Sequence, residues 1–90
     1  MMDHVTRWKV DIYIDEHDDR TRAEARLWTS AGTQRTGIGH ARRNPRDLNV
    51  PEIGDELAVA RAMADLSHQL IEATAADIEA VTQLPARLAE

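Results

Sequence analysis

The densest group of side chains that could do chemistry is Asp15, Glu16, His17, Asp18 and Asp19, four carboxylates around one imidazole. A calcium loop needs a regular ligand spacing and a glycine at its sharp turn, and a structural zinc site needs four nitrogen or sulfur ligands. Neither pattern surrounds His17. The run reads instead as a solvated hairpin tip, since polar clusters between strands are what turns are made of. His4, His40 and His68 are scattered over a terminus, a strand and a helix. At an inward strand position, His40 reads as a hydrogen-bonded core residue, with a pH-sensitive group as the sharper alternative. Cysteine is absent, and Ser30 and Ser67 have no base or orienting partner around them. Gly37-Ile38-Gly39 lacks the Lys-Ser/Thr closure and following helix of a phosphate loop. No catalytic residue, metal site, cofactor or small-molecule substrate is evident, so the chain reads as non-enzymatic.

Basic and aromatic residues give a better lead. On the outer face of a sheet the alternation would collect Arg7, Lys9, Arg22, Arg26 and Arg35 against Asp11 and Glu24, with Tyr13 and Trp28 among them. The loop residues Arg42, Arg43 and Arg46 add charge beside it. Cations interleaved with aromatics suit phosphate contact and base stacking. The competing reading, slightly in front, makes Trp28 and its neighbours a dimer surface with arginines at the rim.

These side chains need elements to hold them. Residues 6–14 alternate with period two, Trp8, Val10, Ile12 and Ile14 falling on one face, as in a half-buried strand. Residues 15–20 form a polar turn. Residues 21–30 alternate again, with Ala23, Ala25 and Leu27 inward. After a turn at Ala31-Gly32, residues 33–41 place Thr36, Ile38 and His40 inward and Gly37 and Gly39 on the other face. Glycines so placed often mark a bulge or a close approach by another backbone. Short connections make the three strands an antiparallel meander. Residues 42–50 are an arginine-rich loop with an Asn-Pro step. Pro51 suits a first helical turn, with Glu52, Asp55 and Glu56 at the positive end; Gly54 could delay the regular helix to about Asp55. One stripe then runs Leu57, Ala60, Ala64, Ser67, Ile71, Thr74, Ile78, Val81, and a second runs Val59, Met63, Leu66, Leu70. Pro85 closes the helical region, and a separate short helix over 75–82 stays open as an alternative. The fold class is α+β, a single β-β-β-α domain spanning residues 1–90.

Composition bears on how such a domain stays folded. Among 90 residues there are no Phe, one Tyr and two Trp, so a core of Ala, Val, Ile and Leu must be thin. Small domains with thin cores lean on disulfides, metals or a partner, and without cysteine association is the remaining route. A homodimer is therefore expected, with Leu57, Val59, Met63, Leu66, Leu70 and Ile71 as the core and dimer face of the helix. The net charge of −5 is uneven: residues 1–49 carry nine basic and eight acidic groups, residues 50–90 two and eight. An anionic partner would have to approach the strand half. No leader-like or membrane-spanning segment is evident, which together with the absent cysteine points to the cytoplasm.

Four stretches, WKVDIYIDEHDDRTRAEARL, GIGHARRNPRD, VPEIGDELAVARAMADLSHQL and DIEAVTQLPARL, resemble the small actinobacterial family called domain of unknown function 1876. Its members include dormancy- and hypoxia-associated mycobacterial proteins. The resemblance implies a dimeric β-β-β-α fold of double-stranded-RNA-binding-domain type, similar in shape to ribosome hibernation factors, and hence a ribosome or RNA partner under stress. The chain departs from that type in its acidic first turn and in Glu52, Asp55 and Glu56, which would repel the phosphates of an RNA duplex. Its short lead-in also leaves no room for a helix before the sheet, and His40 stands where the family would hold an aliphatic residue. Two function classes follow: an RNA- or ribosome-associated stress protein, or a dimeric interaction module without nucleic-acid binding.

Overall fold

A computed structural model describes residues 4–42, 51–83 and 85–88. Three strands, β1 (Lys9–His17), β2 (Arg20–Trp28) and β3 (Gln34–Arg42), precede one helix, α1 (Pro51–Thr82). The sheet is antiparallel in the order β1-β2-β3, so the expected meander and the α+β class hold. Strand pairing continues to the His17–Arg20 pair, which makes Asp15, Glu16 and His17 part of β1 instead of the turn. Only Asp18 and Asp19 are left to reverse the chain. Asp18 takes a left-handed backbone with φ of 55°, a conformation aspartate tolerates because its short side chain can bond locally. The helix begins at Pro51 despite Gly54 and runs unbroken through 75–82, so no second helix forms. The loop expected over 42–50 lies, after Arg42, outside the described residues.

Side-chain size decides where the helix sits. The buried apolar side chains are Ala23, Ala25, Leu27, Ala41, Ala58, Ala62 and Leu66, mostly too small to hold two backbones apart. Gly37 and Gly39 are buried among them, on the helix side of β3. A Cβ on Gly39 would strike the Ala58 carbonyl and the Ala62 amide, and one on Gly37 would lie 2.6 Å from the Leu66 amide nitrogen. The helix backbone thus rests directly on β3. This reverses the expected phase of that strand: Thr36, Ile38 and His40 face away from the helix. His40 is exposed there and is no core histidine. The glycines did mark a close backbone approach, but on the inward face.

The helix face is corrected in part, since Val59, Leu66 and Leu70 do pack in the core while the line of closest contact is shifted. The line of contact is Ala58-Ala62-Leu66, flanked by Val59 and Leu70; Leu57 and Met63 are exposed and Ile71 is half-buried. One turn apart on the next stripe, Arg61, Asp65 and Gln69 reach the outer edge of β3. Arg61 donates to the His40 carbonyl at 2.8 Å, the Ile38 amide donates to Asp65 at 2.8 Å, and Gln69 donates to the Thr36 carbonyl at 2.8 Å. An edge strand presents unpaired backbone groups, and here helix side chains satisfy three of them.

Having settled over β3 and β2, α1 barely reaches β1. Val10, Ile12 and Ile14 lie on the helix side of the sheet yet remain 38%, 40% and 45% exposed. The half-buried strand expected from their alternation is, in one chain, an uncovered one.

One pair of acids joins the two layers. The Asp55 carboxylate beside Glu16 holds the Glu16 carboxyl above its ordinary value, first through the hydrogen bond the protonated form makes and then through repulsion. A proton therefore binds the folded chain more tightly than the unfolded one. The resulting stabilisation is full below the ordinary carboxylate range and lost as pH rises through the raised value. Glu16→Gln should melt higher than the parent at pH 7, and the difference should vanish by about pH 4. A thermal melt series across that window checks it.

Candidate nucleic-acid interface

Residues paired across strands share a face, so the register maps the sheet surface away from the helix as five rows. They run Lys9–Trp28–Gln34, Asp11–Arg26–Thr36, Tyr13–Glu24–Ile38, Asp15–Arg22–His40 and His17–Arg20–Arg42. Lys9, Arg22, Arg26, Trp28 and Arg42 all lie on this face, as a contact surface requires. Arg35 does not: it pairs with Leu27 on the helix side and is half-buried. It follows Gly37 and Gly39 inward, because all three share one strand parity. Arg43 and Arg46 lie outside the described residues.

The middle of the face is satisfied internally. Glu24 accepts from Arg22 and, at 3.0 Å, from Arg26 Nε. These two hydrogen bonds, Arg22's the larger, hold the Glu24 carboxyl below its ordinary value. Glu24 in turn raises the Arg26 guanidinium, whose carbon lies 4.1 Å from the centre of the Tyr13 ring. Lys9 reaches Asp11 at 3.4 Å. A bidentate hold on phosphate by Arg22 or Arg26 would have to compete with Glu24 for the same donors. Trp28 stays 37% exposed at the other end, open to stacking.

The largest group of basic side chains lies at the hairpin end, among Asp15, Asp18 and Asp19. Arg20, Arg22, Arg42, His17 and His40 gather there, with Arg42 3.6 Å from Asp19. Neither Arg20 nor His40 was counted as a contact residue from sequence. Pairing two-residue-turn hairpins by register would have found Arg20, since the Asp18-Asp19 turn sets it opposite His17. His40 required the correct phase of β3.

Alternation also disperses the acidic run. Asp15 and His17 face the polar side and Glu16 the helix, so the sequence neighbours cannot converge. Among the described residues no group of three or more His, Asp or Glu could hold a metal ion, and no helix is long and apolar enough to cross a membrane. The arrangement offers a flat polar surface for binding and a long apolar strand face behind it.

The family model described as Rv2632c-like matches residues 6–87. Uncharacterized protein MT1780 of Mycobacterium tuberculosis is 57% identical over 88 residues, which cover 96% of this chain and 92% of that protein. Uncharacterized protein Rv2632c of the same species is 55% identical over 78 residues, covering 86% of this chain and 82% of that protein. A crystal structure of Rv2632c superposes with a TM-score of 0.81 at 52% identity, covering 93% of this chain and all (100%) of that one.

Proposed function

The chain belongs to the Rv2632c-like family, and on that footing we propose that it is a non-enzymatic binding module that works as a homodimer. The observation that carries this is the apolar side of β1, where Val10, Ile12 and Ile14 remain 38%, 40% and 45% exposed although they lie on the helix side of the sheet. Further large apolar side chains stay exposed on α1, Leu57 and Met63 among them. Among the described residues, helix side chains bond the backbone edge of β3 and not that of β1. A second copy is the occupant this favours: a core made chiefly of alanine needs its cover permanently, and only the chain itself is always present with it. Light scattering at micromolar concentration should give twice the chain mass. A folded, stable monomer would overturn the reading.

A second reading is favoured by the basic rows at the hairpin end. In it the dimer presents its polar faces to RNA or to the ribosome in the cytoplasm of a stressed or dormant cell. The β-β-β-α order and the resemblance to double-stranded-RNA-binding domains and hibernation factors support it by analogy. Asp18 and Asp19 at the first turn speak against ordinary duplex groove binding, so the sheet face would make the contact. Co-sedimentation with ribosomes that weakens steeply between two salt concentrations is expected from phosphate contact. Absence of pelleting at low salt would leave the interaction-module reading alone.

A further inference from the structure

We propose that the hairpin end of the sheet binds a phosphoryl oxyanion, held by Arg20, Arg22 and Arg42 with His17 and His40 beside them. In register Arg20 stands directly opposite Arg42, and Arg22 opposite His40, with His17 closing the first row. Directly opposed residues keep their Cβ atoms roughly 5 Å apart, where like charges destabilise an antiparallel pair. The Arg20–Arg42 pair is such a row; in the next row Asp15 stands opposite Arg22. Asp15 lines the same space and Asp18 lies 3.5 Å from His17, so carboxylates offset part of this charge. Glu24 is divided between Arg22 and Arg26, and Asp19 stands 3.6 Å from Arg42. Arg20 makes no ion pair among the described residues. Arg61, at the rim, donates to the neutral His40 carbonyl and brings its charge with it.

These residues line one open cavity of about 500 Å³, ample for a tetrahedral oxyanion. An anion seated between Arg20 and Arg42 converts their repulsion into two charge-assisted contacts, and a planar guanidinium can grip it through two N–H groups at once. The shared chemistry is the phosphoryl group, whether from a polynucleotide backbone or from a small phosphorylated molecule. For the first source alone the site rests on the RNA reading above; it does not depend on the dimer.

The test is a nitrogen–proton NMR titration of the full chain with inorganic pyrophosphate. Saturable shifts are expected at Thr21, Arg22, His40 and Ala41, with Lys9 and Trp28 unmoved. An Arg20→Gln, Arg42→Gln double variant should bind roughly tenfold or more weakly. It should also melt no lower than the parent without phosphate, because it removes opposed like charges. Shifts that are absent at millimolar pyrophosphate, equal affinity in the variant, or a lower melting point of the variant would each overturn the proposal. A single-stranded RNA oligonucleotide then separates the sources. Displacement of pyrophosphate at far lower concentration, with a strong salt dependence, identifies a polynucleotide. Pyrophosphate binding untouched by RNA identifies a small phosphorylated ligand.

Discussion

Gly39→Ala will remove a large part of the stability of this protein, and Gly37→Ala will do nearly as much damage. In an ordinary strand the same change helps, since alanine loses less backbone freedom on folding than glycine. Here the new methyl would enter the backbone of Ala58 and Ala62. Neither is the far end of a flexible side chain, so the helix itself must lift. It is tied along its length by Arg61, Asp65 and Gln69 at the β3 edge, so lifting it also strains those bonds. Contacts of Ala23, Ala25, Ala58 and Ala62 open together, and alanines have no longer atoms with which to follow. Overpacking a core costs roughly 1–3 kcal/mol even where side chains can adjust. A backbone collision should reach or exceed the top of that range, against a total of roughly 5–15 kcal/mol for a domain. Urea unfolding followed by circular dichroism measures it; an unchanged midpoint would mean that α1 does not lie on β3.

How much of this was visible in the sequence depends on which signal each element used. Period two in residues 6–14 and the Ala-Leu alternation of 21–30 are direct consequences of strand geometry, and both faces came out right. For residues 33–41 the same rule failed, because it assumes that the largest apolar side chain is the buried one. Ile38 is larger than Gly37 or Gly39, yet a helix backbone in contact with the sheet requires the residues without side chains. The error carried Arg35 to the wrong face and His40 with it. On the helix, Ala58 and Ala62 gave little signal beside Leu57 and Met63, so the contact line was placed off by part of a turn. The spacing of Arg61, Asp65 and Gln69 was there to be read, but a polar stripe at helical spacing ordinarily means solvent. Only the position of β3 beneath it shows that these side chains close a sheet edge. Of the candidate site, the basic surface was legible as a composition of strands. Period two also put Glu24 on that face with Arg22 and Arg26; what it did not give is that one carboxylate takes a hydrogen bond from each.

Ile12→Glu should convert a dimer into separate chains, while Tyr13→Glu on the same strand should leave association intact. Ile12 and Tyr13 are neighbours in sequence and point to opposite faces of β1. Ile12 pairs with Ala25 on the helix side; Tyr13 pairs with Glu24 on the polar side, under Arg26. If a second copy covers the uncovered side of β1, Ile12 sits near the middle of the patch formed with Val10 and Ile14. Fully burying an isoleucine stabilises by roughly 1.5–3 kcal/mol. One chain leaves 40% of Ile12 exposed, so the dimer adds only that share. With each change made twice in a two-fold dimer, its loss alone weakens association by roughly 1–2.5 kcal/mol, or about one to two powers of ten in Kd. Placing an unpaired carboxylate in the same contact adds to the loss. Sedimentation velocity at micromolar concentration compares the two variants with the parent under one condition. Circular dichroism at the same concentration tells dissociation from unfolding, and an alanine-rich core predicts that the Ile12→Glu chains lose helix as they separate. An Ile12→Glu protein that sediments as the parent dimer would place the interface elsewhere on the molecule. The exposed flank of α1 around Met63 would then be the next surface to reverse in charge.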